Sequence, residues 1–142
     1  LYNSCNKDVT FSWDSALRFD GETGPYLQYT HARTCSILKK VGDIDLSKVD
    51  TSILTEDSAF EIVKTLSTFG DVVKSAGEKY EPSYVTRFIM DLAQKFNKFY
   101  NECQIAVNDD TVRNTRGMLT FAVNRVLKIG LSLICMKAPT EM

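Results

Sequence analysis

Apolar and polar positions along the chain recur at helical spacing in four long stretches. From Gly24 to Val41, GPYLQYTHARTCSILKKV, placing residues at about 100° intervals separates two arcs. Leu27, Thr30, His31, Leu38 and Val41 form one, and read as a core stripe. Tyr26, Tyr29, Arg33, Ile37 and Lys40 form the other. Gly24-Pro25 marks the start, because proline lacks only an N–H that the first helical turn leaves unpaired anyway. No Gly or Pro follows until Gly42, so roughly four to five turns run unbroken.

The second stretch places Ala59, Ile62, Val63, Leu66, Phe69, Val73 and Ala76 on one face. Thr55 is its expected N-cap, with Glu56 and Asp57 favourable to the helix dipole, and Gly77 its expected end. Gly70 lies inside it at a cost of about 1 kcal/mol relative to Ala, so a break or kink belongs there. Pro82 opens a third stretch with Val85, Phe88, Ile89, Leu92, Phe96, Phe99 and Cys103 at i, i+3, i+4 spacing, and Tyr100 beside them. Asn108, Asp109 and Asp110 cap a last helix expected over Thr111–Cys135. Its apolar side holds Leu119, Ala122, Val123, Val126, Gly130, Leu133 and Ile134, with Gly130 allowing a close helix approach.

Shorter pieces connect these stretches. Val9, Phe11 and Trp13 alternate with polar residues and favour an extended segment. Asp14 can cap a short helix from Ser15 to Phe19, and Phe19–Thr23 then forms a loop around Gly21. Residues 42–57 read as a polar connector with one helical turn and apolar anchors at Ile44, Leu46, Val49 and Leu54. No β-rich segment and no repeat period is present. The predicted fold is all-α: a compact helical bundle of about four long helices plus short ones, in one domain over residues 1–142.

Composition narrows the function. The 142 residues are 44% apolar and 25% charged, ordinary values for a folded chain. No apolar run reaches the ~18 residues of a membrane span, and no signal-peptide pattern opens the chain. Leu1 is not an initiator Met, so a fragment of a longer protein is expected. A net charge of −1 argues against a standalone, strongly basic nucleic-acid binder. Cys5, Cys35, Cys103 and Cys135 form no CxxC, and His31 alone cannot complete a zinc cluster. They read as buried thiols in a reducing compartment.

Candidate chemistry concentrates on rings and cations. Tyr26 and Tyr29 stack above Arg33 at i, i+3, i+7. Rings can stack on unpaired bases and Arg can add a phosphate contact or a second plane; the plain alternative is two half-buried tyrosines with wet hydroxyls. From Val112 to Lys137 there are Arg113, Arg116, Arg125, Lys128 and Lys137 and no acid, which fits phosphate contact or a solvated face. No Gly-rich phosphate loop, GxSxG or paired His is present, so no catalytic residue and no metal ligand is assigned.

Three motifs carry a resemblance. The run AL-x-F-x-G-x-TGPY-x-QY-x-HAR, Ala16 to Arg33, resembles the junction between the catalytic and C-terminal helical domains of arginyl-tRNA synthetases. Glu81–Tyr100 is similar to that family's middle helix, and Val112–Met142 to its closing segment. In this order they span nearly the whole chain and identify it as resembling the DALR-type anticodon-binding domain of a class I synthetase. The resemblance implies an all-helical domain that binds the anticodon loop of arginine tRNA. The ATP- and Mg-dependent catalytic Rossmann domain would lie upstream in the same chain. The fragment would hold no cofactor, contact neither DNA nor membrane, and work in the cytoplasm.

By motif position the resemblance assigns RNA contact to Tyr26, Tyr29, Tyr100 and Met142, with the Phe19–Thr23 loop responding to tRNA. Arg33, Arg113 and Arg116 are candidates for phosphate contact or for structural ion pairs. Polar groups near the C-terminus would read a central cytosine. Gln28 is expected to tie the helix junction and His31 to hydrogen-bond within helix packing. Cys135 stands where the family usually has a small residue, often Gly, which bears on local packing. The competing readings are a helical protein–protein interaction module and the equivalent domain of another class I synthetase, such as the cysteinyl enzyme.

Overall fold

The computed structural model describes Asp8, Thr10 and residues 12–18 and 21–142. Val9, Phe11, Phe19, Asp20 and Cys5, all used above, lie outside the described residues. Helix α1 is one turn, Trp13–Ala16, so Trp13 starts a helix rather than ending an extended piece. The long helices are α2 (Gly24–Val41), α3 (Asp57–Ser67), α4 (Phe69–Glu78), α5 (Ser83–Glu102) and α6 (Asp110–Leu133). No strand occurs among the described residues.

Helix α5 is the hub. It packs against α2, α3, α4 and α6, and α2 in turn lies along α6. The predicted stripe of α5 is buried throughout, from Val85 to Cys103. Phe96, Phe99, Ile89 and Leu92 are completely enclosed, which concentrates apolar burial worth roughly 1.5–3 kcal/mol per large side chain. Gly130 of α6 lets the two helices meet. A Cβ there would sit 2.2 Å from Cγ2 of Ile89.

Local chemistry sets the ends. Thr23 caps α2, its hydroxyl accepting from the Tyr26 N–H at 3.2 Å, with Pro25 in the first turn. Asp109 caps α6 through the Val112 N–H. The 42–57 connector forms two 3-10 turns rather than one, at Leu46–Lys48 and Thr51–Ile53. Asp45 and Asp50 each cap one, accepting from Ser47 and Ser52. Those hydrogen bonds hold both carboxyls below their ordinary range. The turns hang on α6, because Asp45 N–H donates to Asn114 Oδ1 and Asp50 N–H to Thr115 Oγ1.

The structure departs from periodicity in identifiable places. The second stretch breaks at Thr68, before Gly70, and so forms two helices. Hydroxyls of Thr65, Ser67 and Thr68 donate back to the carbonyls of Glu61, Lys64 and Thr65, and such back-bonding bends a helix. Glu56, not Thr55, is the N-cap of α3, without a side-chain cap bond, because its carboxylate is engaged by Arg116. Gly77 stays inside α4. The left-handed position after the helix is Tyr80, with φ 53°. Ile37 is buried although the arcs put it outside, and Val63 and Leu133 are exposed although the stripes put them inside. These helices bury a face wider or more rotated than a narrow stripe, because α2 faces both α5 and α6, and α6 faces α2, α3 and α5. In α6 that rotation brings Leu127 and Leu131 into the core.

Candidate nucleic-acid interface

The site is built where α2, the end of α5 and the segment after α6 meet. That segment has to turn back sharply, and Cys135 makes the turn with φ 59°. The Met136 N–H donates to Leu131 O at 2.8 Å and the Cys135 N–H to Ser132 O at 3.0 Å. This is the Schellman pair that closes a helix C-terminus, with cysteine at the left-handed position where glycine fits best. Cysteine at this position thus loads the backbone rather than the packing. Residues 136–141 then run alongside α2. Met136 lies against Gly24, where a Cβ would come within 2.8 Å of its methyl.

Three side chains of α2 hold this segment. Gln28 Nε2 donates to Lys137 O at 2.9 Å, so it does tie two elements together. His31 is buried and its Nδ1 lies 2.8 Å from Pro139 O. A carbonyl only accepts, so the proton is on Nδ1, and Nε2 faces Asn124 Nδ2 at 3.4 Å as the acceptor. Lys39 pairs with Glu141. Each ammonium–carboxylate hydrogen bond favours the charged forms, raising the Lys39 pKa and lowering that of Glu141.

The other face of α2 presents Tyr26, Tyr29 and Arg33. The Arg33 guanidinium lies over the Tyr29 ring at 4.8 Å and over the Tyr100 ring at 5.3 Å. Its Nη1 donates to Asn97 Oδ1 at 2.7 Å and its Nη2 to the Tyr29 hydroxyl at 3.2 Å. The Nδ2 of Asn97 donates to the Tyr26 hydroxyl at 2.8 Å and to Thr30 Oγ1 at 3.1 Å. Asn97 therefore orients the group, and periodicity did not reveal it. Its only sequence signal is a polar residue between the apolar Phe96 and Phe99 on α5. Tyr100 is backed by Phe96, with ring centroids 6.5 Å apart and planes at 22°.

Tyr29, Ala32, Arg33, Ser36, Tyr100, Glu141 and Met142 line one open cavity of about 450 Å³. Tyr29, Tyr100 and Met142 remain 40%, 39% and 59% exposed, so apolar surface stays available around a cation. Four of the seven candidate residues thus meet in one place. Tyr26 stands behind them, half-buried, joined through Asn97. Arg113 and Arg116 are elsewhere. Arg113 Nη2 pairs with Asp110, which also receives Lys48. Arg116 Nη2 donates to Glu56 Oε1 at 2.6 Å and its Nη1 to Gln104 O at 2.7 Å. Burial opposes ionisation of Glu56, yet hydrogen bonds from its own backbone N–H, Cys103 and Arg116 hold its pKa below the ordinary carboxyl range. Burial and the Glu56 carboxylate raise the pKa of the buried Cys103 thiol. Cys35 is half-buried and Cys135 exposed, so the thiols are not uniformly enclosed.

The described residues thus form an all-helical bundle with an open aromatic–cation cavity on one side. The sequence profile of the DALR anticodon binding domain matches residues 27–142, and the chain belongs to that family. It is 51% identical across its whole length to an arginine–tRNA ligase of Halothermothrix orenii and 44% to one of Clostridioides difficile. It spans 25% of each of those proteins. Among solved structures, arginyl-tRNA synthetase of Thermus thermophilus superposes on 100% of the chain with TM-score 0.92 at 30% identity, the match covering 25% of that chain. The Plasmodium falciparum enzyme gives TM-score 0.85 at 26% identity over 99% of the chain and 25% of its own.

Proposed function

We propose that this chain is the anticodon-reading domain of an arginyl-tRNA synthetase and grips the opened anticodon loop of arginine tRNA in the Tyr29–Arg33–Tyr100–Met142 cavity. The observation that carries this reading is the Arg33 guanidinium held against two half-exposed tyrosine rings. A base lifted from its stack needs a flat apolar surface and a hydrogen-bonding edge, and the cavity offers both. Stacking on such a ring contributes about 1–3 kcal/mol per base. Tyr26 and Asn97 set the Arg33 fork, and Met142 packs at the rim. The tRNA backbone and acceptor end, and the ATP and Mg²⁺ of aminoacylation, fall to the remainder of the longer cytoplasmic protein. Arg113 and Arg116, with their ion-pair partners, supply a secondary phosphate contact at most.

Binding of the chain to an arginine tRNA transcript across a salt series tests the proposal. The expected result is affinity that falls with salt, falls with a changed central anticodon base, and is lost in a Tyr26→Ala/Tyr29→Ala variant that still folds. Salt-independent binding, or retention by the folded double variant, would overturn it in favour of a protein–protein role for this face.

A further inference from the structure

Resting on the reading of this chain as one domain of a longer synthetase, we infer that the exposed face of α6 between Met118 and Leu133 is the surface on which the upstream remainder of the same protein docks. Helix α6 is packed by α2 on one side and by α3 and α5 on another. The two 3-10 turns reach only its first turns, at Asn114 and Thr115. Beyond them, Met118, Ala122, Val126, Ile129 and Leu133 recur at spacings of four, four, three and four residues. At about 100° and 1.5 Å per residue they occupy about a quarter of the helix circumference along about 22 Å. That is the pattern of a covered seam. Yet Ile129 and Leu133 are 44% and 48% exposed, and Phe121 beside them 46%.

Charge and chain entry identify the occupant. Arg125 and Lys128 border the stripe on its α2 side, and both are exposed. Neither has an ion pair among the described residues. No acidic residue occurs between Val112 and Lys137. A phosphate backbone would pair with the cations and leave the apolar stripe wet. A protein face with an apolar ridge and a carboxylate rim covers both, and surfaces between domains of one chain have this mixed character. The chain also enters the bundle at this end. Helices α2 and α6 run antiparallel, with Gly24 against Met136 at one end and Val41 against Gly117 at the other. Leu133 therefore lies where α1 leads into α2, through a turn in which the Thr23 hydroxyl donates to Arg18 O. Leu17, next to Arg18, is exposed too. A body joined to the chain here is tethered beside the stripe. A short tether gives effective concentrations of about millimolar, so a narrow seam holds a tethered body where a second copy would dissociate. The chain spans 25% of the relatives it matches, so most of their length lies outside it and is available as that body.

The test uses the full-length protein that carries this chain. Ile129→Cys on the stripe and Lys74→Cys on the exposed side of α4 are labelled with a maleimide, and each peptide is read by mass spectrometry. A face docked about nine-tenths of the time should label about tenfold more slowly than the control. Adding Leu133→Asp, at an exposed position, should return Ile129→Cys to the control rate. A photo-cross-linker at Lys128→Cys, on the rim, should join this chain to residues that precede Leu1 in the same molecule. Equal labelling of the two thiols would overturn the inference, as would protection that survives Leu133→Asp. Protection that grows with protein concentration would overturn it in favour of a second copy, and protection that needs added tRNA in favour of RNA. Cross-links confined to residues 1–142 would also overturn it. Arginine-tRNA binding by the same protein keeps the two readings apart. Its absence overturns anticodon reading whatever the labelling shows, and its presence with an unprotected stripe overturns only the docking.

Discussion

Replacing Cys135 by glycine should stabilise the fold. The residue holds φ 59° at the position after α6, where a β-carbon crowds the following carbonyl. That conformation costs a non-glycine residue about 1–2 kcal/mol. Glycine removes the cost but gains freedom in the unfolded chain, which returns about 0.5–1 kcal/mol. The Cys135 side chain is exposed, so little packing is lost with it. The net expectation is a gain of about 0.5–1 kcal/mol, or roughly 2–4 °C in Tm for a chain of this size. Urea and thermal melts under reducing conditions measure it, with Cys135→Ala as the control. Alanine removes the thiol and keeps the β-carbon, so it should give no gain. Tyr80 offers an independent copy of the experiment: φ 53°, 90% exposed, with the Glu81 N–H on Ala76 O and the Tyr80 N–H on Gly77 O. If Cys135→Gly and Cys135→Ala behave alike, backbone strain is not what cysteine contributes there and the reasoning is refuted.

Gly130→Ala should destabilise. Helix propensity returns about 1 kcal/mol, but a β-carbon 2.2 Å from the fully buried Ile89 forces overpacking of about 1–3 kcal/mol or more, and a cycle with Ile89→Ala should show the clash relieved. Asn97→Ala should lower stability by about 1–3 kcal/mol in urea, since it strips partners from Tyr26, Thr30 and Arg33 together, and should weaken tRNA binding more than Thr30→Ala does. Stability should fall on acidification. Asp45, Asp50, Glu56 and Asp110 all have folded pKa values below their ordinary ones, so the unfolded chain binds more protons there. Their contribution is complete above the ordinary carboxyl range and is lost as pH drops through the lowered values, which urea midpoints from pH 7 to pH 3 would track; a flat profile would contradict it.

The existence of α2, α5 and α6 was legible because each carries its own period and its own start signal, whereas α3 and α4 shared one period and read as a single stretch. Pro25, Pro82 and Asp109 mark starts that the structure keeps within a residue or two. The ends were less legible, because Tyr80 and Cys135 take left-handed conformations that composition assigns to glycine. The break expected at Gly70 falls two residues earlier, at Thr68. Three hydroxyls compete with the helix ladder there, and only the structure shows that they turn inward to do so. The site divides in the same way. Tyr29 and Arg33 share an arc of one helix, so spacing alone paired them. Tyr100, Met142 and Glu141 reach them from far along the sequence, and no periodicity reports such a meeting. Asn97 is a short polar side chain whose importance comes wholly from what it touches.

The geometry makes α2 serve two tasks that depend on each other. Gln28, His31 and Lys39 hold residues 136–141 along the helix, while Tyr29 and Arg33 present rings and charge to the cavity. Met142 and Glu141 belong to the held segment and also line the cavity. The cavity therefore has one wall that is fixed within the bundle and one that is attached by a few hydrogen bonds. The fixed wall is stiff because Tyr100 rests on the enclosed Phe96 and Arg33 on Asn97. The attached wall can adjust by small changes in exposed partners, at little cost to the core. The buried His31–Pro139 contact sets the limit of that adjustment, since breaking it would leave a polar ring nitrogen unpaired between α2 and α6. Stiffness and adjustability thus lie on different walls of the cavity, and α2 contributes to both.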